Sequence, residues 1–215
     1  MRRLPIYFLI DIGGNSRKAI HAINNAIHGL LGTLRCDPAA IESIWVSIIS
    51  FNSETKENMP LSSLQDSFQW QEITIETPSG PKHTGKALSF LIQAIEPQLK
   101  KRPCGCSACT PKKPLIFLFT HGSPNDMELY NKMCSILFSS EFGIKIACIV
   151  NSENDNSNLS WIKLFSDTIV KIPSLDSESI FQFFKWASQL IIAQLADDDD
   201  IFDTTTAPIS KLFNH

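Results

Sequence analysis

The chain has no basic excess: 19 Lys and Arg stand against 22 Asp and Glu, a net charge of -3. A face that tracks nucleic-acid phosphates needs clustered positive charge, so a general nucleic-acid binder is excluded. It also lacks an uninterrupted apolar run of bilayer length. Residues 180–196 come closest, and Gln182, Lys185, Ser188, Gln189 and Gln194 break them up, so no membrane span is expected. Arg2-Arg3 followed by apolar residues 4–10 imitates the opening of a secretory signal. That stretch is short, however, and meets Asp11 without a small-residue cleavage site. The expected compartment is therefore cytoplasmic, where the six cysteines are not expected to be disulfide staples. No internal repeat is present. An average composition, 43% hydrophobic over 215 residues, excludes disorder, collagen and coiled coil and allows one ordinary core.

What is present is strand-like composition alternating with helical periodicity. Runs rich in Ile, Val and Phe at residues 4–10, 44–51, 72–77, 115–120, 145–151 and 167–172 predict strands. Between them, Ile20, Ile23, Ile27, Leu30, Leu31 and Leu34 form one helical stripe, with His21, Asn24, Asn25 and His28 assigned to its opposite side. Further stripes run through Leu88, Leu91, Ile92 and Ile95, through Leu129, Met133, Ile136 and Leu137, and through Ile180, Phe184, Ala187 and Ile191. The alternation predicts an α/β fold: a Rossmann-like, doubly wound, mostly parallel six-stranded sheet with helices on both faces. Trp45, Trp70, Trp161 and Trp186 read as packing. Residues 1–196 read as the folded domain, interrupted by a Cys-rich basic loop at 100–114. Residues 197–215 begin with four aspartates and read as an acidic tail that leaves the body.

The first strand delivers Asp11 into the turn Ile12-Gly13-Gly14-Asn15-Ser16, which opens a helix. In doubly wound sheets ligands bind beyond the carboxyl ends of the strands that flank the switch point. The run 115–120 is the natural neighbour of strand one. It ends in Thr120-His121-Gly122-Ser123-Pro124-Asn125-Asp126, and the loop 78–85 opens a helix at the same edge.

Four ordered blocks, MRRLPIYFLID, SGPKHTGKAL, FLFTHGSPND and FFKWAS, resemble the von Willebrand factor A domains of the TerY-like, tellurium-resistance-associated group, over residues 1–195. The resemblance implies a cytoplasmic, bacterial, non-enzymatic module that binds a partner protein. It further implies a stress-response or phosphorylation-linked setting that includes a protein kinase and a PP2C-type phosphatase. It also implies a metal-ion-dependent adhesion site made of an Asp-x-Ser-x-Ser turn, a threonine loop and a distal aspartate. Carried over by position, only Asp11 is intact: the serines fall on Gly13 and Asn15, the threonine on Lys82 and the distal aspartate on His121. Thr84 lies two residues beyond the threonine's place and could stand in for it.

Magnesium wants hard oxygen ligands, which Gly13, Lys82 and His121 do not offer, so no cofactor is expected at this edge. An ammonium beside Asp11 would instead supply the missing charge. Against that stand plainer readings: Lys82 facing water, His121 as a turn residue, Gly13 and Gly14 serving only the backbone. The partner-binding set is Asp11, Gly13, Asn15, Lys82, Thr84 and His121.

Other classes have less support. FLIDIGGNS also resembles the first phosphate loop of the actin and sugar-kinase superfamily. That loop leads into a β-hairpin, whereas residues 16–34 are helix-periodic here and no second phosphate loop follows. No Gly-x-Ser-x-Gly elbow is present. The enzymatic alternative that remains is nucleotide-dependent phosphotransfer or hydrolysis with Asp11 and His121 as acid and base. Separately, Cys104, Cys106 and Cys109 could meet around one zinc. The fourth ligand would have to come from His83, a partner or a second chain, and a redox role or a plain reduced loop stays open. Lys100, Lys101, Arg102, Lys112 and Lys113 read as solvated decoration or a dock for an acidic partner, and Cys36, Cys134 and Cys148 as core.

Overall fold

In a computed structural model of the protein, residues 2–14, 17–66, 70–74, 80–100, 111–139, 142–150, 159–166 and 168–196 are described. Asn15, the three cysteines of the 100–114 loop and the 197–215 tail lie outside the described residues. Six strands form one sheet: β1 (Leu4–Asp11), β2 (Ile44–Phe51), β3 (Thr55–Ser63), β4 (Leu115–Thr120), β5 (Ile144–Val150) and β6 (Thr168–Ile172). The helices are α1 (Arg17–Leu34), α2 (Pro38–Ser43), α3 (Thr84–Lys100), α4 (Met127–Leu137), α5 (Ser160–Phe165) and α6 (Ser177–Ala196).

The strand order is β3-β2-β1-β4-β5-β6. Only the β2–β3 pair is antiparallel. β1 is central and buried along its whole length. Its Leu4, Ile6, Phe8 and Ile10 join the core shared with α1 and α6, while Tyr7 and Leu9 join the core shared with α3, α4 and α5. Period-two alternation thus serves two covered faces, which is why the strand reads as continuously apolar. Phe8 stacks on Phe117 of β4, with ring centroids 4.8 Å apart, and both belong to a phenylalanine cluster completed by Phe119, Phe183 and Phe184. The chain leaves β1 toward β2 and later returns past it to β4. The crevice at the carboxyl ends of β1 and β4 is therefore the switch point, as expected.

The predicted third strand is misplaced. Residues 70–74 are not a strand, and residues 75–77 of that run lie outside the described residues. The strand lies instead at Thr55–Ser63, an edge strand of mostly polar residues that accommodates Pro60 because one side of its ladder needs no partner. Ile73 is buried, but its backbone is bonded by a side chain: the Asn24 amide donates to Ile73 O at 3.0 Å and accepts from Ile73 N at 3.1 Å. Asn24, assigned to the outer side of α1, is accordingly buried. The short helices α2 and α5 were not anticipated.

Two further expectations fail. Cys36 is exposed, at the end of α1, whereas Cys134 and Cys148 are core as expected. Lys112 is buried rather than solvated, its ammonium donating to Gln194 O at 2.9 Å and Leu195 O at 3.2 Å. It closes the carboxyl end of α6, where helix carbonyls lack intrahelical donors and the helix dipole favours a cation. Among the described residues no helix is long and apolar enough to cross a membrane.

Candidate functional site

Asp11 sits at the last position of β1 with its side chain fully buried. Its Oδ1 accepts from the Gly13 N–H at 2.9 Å, and its Oδ2 accepts from the Thr120 hydroxyl at 2.8 Å. Thr120 is there by register: Ile10 pairs with Phe119, so the next residue on each strand meets at the sheet edge. His121 Nδ1 lies 3.4 Å from Asp11 Oδ2 and has no hydrogen-bond partner among the described residues.

Burial raises the Asp11 carboxyl above its ordinary range. That is opposed first by the charge of His121, then by the Thr120 bond, then by Lys82 and the Gly13 amide. Burial also lowers the His121 imidazole, against the pull of Asp11 and with the help of Lys82. Low dielectric disfavours charge on either group, and each partly restores it on the other.

Three loops are fastened together around this carboxylate. Lys82 and Asn125 exchange two bonds: Lys82 N donates to Asn125 Oδ1 at 2.6 Å and Asn125 N to Lys82 O at 2.8 Å. Asp126 accepts from Gly85 N at 3.0 Å and Lys86 N at 2.9 Å, so the first turn of α3 is capped from across the crevice instead of by a residue of its own chain segment. The approach is close enough to require Gly85, since a Cβ there would stand 2.5 Å from Tyr130 N. On the other side His83 N donates to Asn52 O at 2.9 Å, and His83 Nδ1 lies 3.1 Å from Ser53 O. Beside this junction a cavity of about 400 Å³ is lined by Ile12, Ser50, Asn52, Ser53, Lys56 and Thr74 among others.

Of the residues expected at the site, Asp11, Gly13, Lys82 and His121 come together. Asn15 lies outside the described residues. Thr84 is buried at the start of α3 and its hydroxyl has no hydrogen-bond partner among the described residues, so it makes no bond to Asp11. Of the two basic neighbours, His121 acts on Asp11 more strongly than Lys82. Sequence reasoning placed the turn that holds Thr120, Asn125 and Asp126 at this edge but assigned none of the three a role. A hydroxyl ending a strand beside the one that carries the acid was the available signal for the first. Nothing local marked the other two as clamps.

The described donors do not suit a hard divalent cation, which takes about six oxygens near 2.1 Å. They offer one carboxylate with both oxygens already accepting hydrogen bonds, a glycine, an ammonium and an imidazole. Among the described residues no group of three His, Cys, Asp or Glu side chains is placed to hold a metal.

The sequence pattern of the von Willebrand factor type A domain matches residues 6–185. No curated protein matches the chain. Solved structures share the fold at low identity. The proximal thread matrix protein 1 of the mussel byssus, in a form described as having a zinc-occupied MIDAS motif, aligns with TM-score 0.60 and 12% identity over 91% of this chain and 48% of its own. The pilus adhesin SpaC of Lactobacillus rhamnosus GG aligns with TM-score 0.65 and 12% identity, over 91% of this chain and 30% of its own. The conserved protein BatB of Bacteroides thetaiotaomicron aligns with TM-score 0.55 and 13% identity, over 90% and 98%. The chain spans about half the length of the mussel protein and under a third of the adhesin.

Proposed function

The chain belongs to the von Willebrand factor type A domain family, and from that premise we propose that it is a non-enzymatic protein-interaction module of the TerY-like group whose adhesion site works without metal. The observation that carries this reading is the junction at the carboxyl ends of β1 and β4. Loops from β2, α3 and β4 are hydrogen-bonded into one rigid edge around Asp11, and a lysine and a histidine stand where oxygen donors would be needed. A pre-fastened polar edge at a switch point is a recognition surface that loses little conformational entropy on binding. The partner meets Lys82, His121 and the adjoining loops directly. In this reading it belongs to a cytoplasmic, bacterial stress-response or phosphorylation-linked system, with a protein kinase and a PP2C-type phosphatase as the first candidates.

The test is capture of partners from the native host by the intact protein, in parallel with Lys82→Glu and with EDTA present. Capture that survives EDTA and is lost in Lys82→Glu supports the proposal. Capture abolished by EDTA, or unchanged in Lys82→Glu, overturns it.

The enzymatic alternative draws on the 3.4 Å approach of His121 to Asp11. It is disfavoured because Asp11 is fully buried, so its carboxylate has no open approach to a substrate proton. Nucleotide turnover lost in both Asp11→Asn and His121→Asn would favour it.

A further inference from the structure

The outer side of α4 and α5 carries an open apolar groove, far from the crevice of β1 and β4. Asn131, Cys134, Ser135 and Phe138 follow one another at the spacing of a single helix face, and with Leu164 of α5 they line a cavity of about 480 Å³. Phe138 is 84% exposed and Leu164 52%, the most exposed large apolar side chains among the described residues. Ser135 Oγ donates to Asn131 O at 3.0 Å, so its hydroxyl is turned back onto the helix and the groove stays apolar. Two exposed apolar side chains that share one cavity mark a binding surface, whereas single scattered ones do not.

The sequence after Ala196 begins within reach of that groove. The last turn of α6 is held by Lys112, whose ammonium donates to Gln194 O and Leu195 O. Lys112 N in turn donates to Arg3 O, and Arg2 donates to Pro111 O, so Arg2, Arg3, Lys112 and Lys113 gather where the acidic run 197–200 starts. Opposite charge there favours a tail that stays near this end of the sheet. Phe138 caps α4 at the same end, and Ile144, which follows it into β5, donates from N to Pro114 O at 2.9 Å. α6 and α4 lie on opposite faces of the sheet. A path round its end between two covering helices, each about 10 Å across, is on the order of 30 Å.

We propose that the groove is the seat of this chain's own residues 209–213. Ile209, Leu212 and Phe213 stand at i, i+3 and i+4 with Pro208 directly ahead, the spacing and the opening of an amphipathic helical turn. So short a turn has too few residues to be stable alone and gains order only by laying its apolar side into a groove. Chain length selects it over the other apolar pair of the tail. Residues 197–208 extend to about 40 Å, enough for the path, whereas Ile201-Phe202 reaches no more than about 20 Å from Ala196. The inference is independent of the crevice: it concerns the other end of the sheet and a contact within one chain.

The full chain with ¹³C-labelled Ile and Leu methyl groups gives the test. The double substitution Leu212→Ser with Phe213→Ser is expected to shift the Leu164 methyl resonances, while Ile201→Ser with Phe202→Ser leaves them in place. Read from the other side, Phe138→Ser and Leu164→Ser should each speed amide exchange at Leu212 about ten-fold, the scale of losing one apolar anchor. The methyl groups of Leu88 and Ile191, one in each core, report that the variants remain folded. In wild type the Leu164 resonances should hold constant over a dilution series, as a contact within one chain requires. Leu164 resonances that ignore Leu212 and Phe213, that respond to Ile201 and Phe202 instead, or exchange at Leu212 unchanged in both groove variants each overturns the proposal. A Leu164 shift that disappears on dilution also overturns it and makes a second copy the occupant.

Discussion

At the amino-terminal end of the strands Lys112 is buried and donates to two carbonyls of α6. At the carboxyl end Lys82 is half-buried, and among the described residues its ammonium donates to nothing. The acids divide between support and site at a single edge. Asp126 gives both oxygens to the first amides of α3, while Asp11 lies beneath the crevice with His121 and Lys82 as its cationic neighbours. Lys112 completes hydrogen bonds that the fold would otherwise lack, whereas Lys82 is held by its backbone and its charge is uncommitted among the described residues. The difference separates residues that hold the domain together from residues whose binding capacity the fold leaves open.

The largest expected effect tests the structural half of that comparison. Lys112→Met leaves two helix carbonyls without their charged donor and should cost about 2 kcal/mol in urea unfolding, the scale of hydrogen bonds to a charged group. Lys82→Met should stay within about 0.5 kcal/mol of wild type, as surface substitutions do, while abolishing partner capture. Equal losses from the two substitutions would collapse the distinction.

Asp126→Ala comes next. It removes the acceptor for Gly85 and Lys86 and should cost about 1 kcal/mol, as loss of a helix cap does. It should also loosen the Lys82 loop, read as faster amide exchange at Lys86 with exchange in β1 unchanged. A stability loss with no local change in exchange would mean that the cap does not fasten the crevice.

The contrast also marks what could be read from the chain before its structure. The strand that carries Asp11, its neighbour β4 and the α1 and α3 stripes were legible because two covered faces force continuous or periodic apolar runs. β3 was not legible: an edge strand needs few apolar residues, while the run Ile73-Thr74-Ile75 gave a segment bonded to Asn24 the composition of a strand. Asn24 and Lys112 were misassigned for one reason. Their burial depends on backbone groups 49 and 82 residues away, which no local pattern reports. At the site, Asp11, Lys82 and His121 were found because each lies at or beside the end of a regular element. Asn125 and Asp126 were missed because their partners belong to another loop.

A smaller effect ranks the two basic neighbours of Asp11. His121 pulls on Asp11 more strongly than Lys82 does, so double-mutant cycles should give a coupling of about 1 kcal/mol for Asp11 with His121 and about half that for Asp11 with Lys82. The variants Asp11→Asn, His121→Asn and Lys82→Met keep shape while removing charge. A larger coupling for Lys82 would restore the direct Asp11 pairing that the sequence suggested.

The smallest effect is in the pH dependence of stability, where the two buried groups act in opposite directions. The His121 imidazole is held below its ordinary value of 6.5 by burial. Between its folded-state value and 6.5 the unfolded chain binds the proton more readily, so stability rises with pH across that window and is lost as pH falls through it. Asp11 is raised above its ordinary 3.8. The folded chain there binds the proton more readily, and stability falls as pH rises from 3.8 toward the folded value. The other histidines are common to both proteins and cancel in the difference between wild type and His121→Asn, and the loss of His121 leaves the Asp11 carboxyl further raised, which acts in the same sense. From about pH 7.5 down to about pH 5.5 wild type should lose more stability than the variant, the sign that linkage gives for a depressed histidine. A wild type that gains stability relative to His121→Asn on acidification would mean that Asp11 keeps His121 charged. The crevice would then hold a second cation beside Lys82.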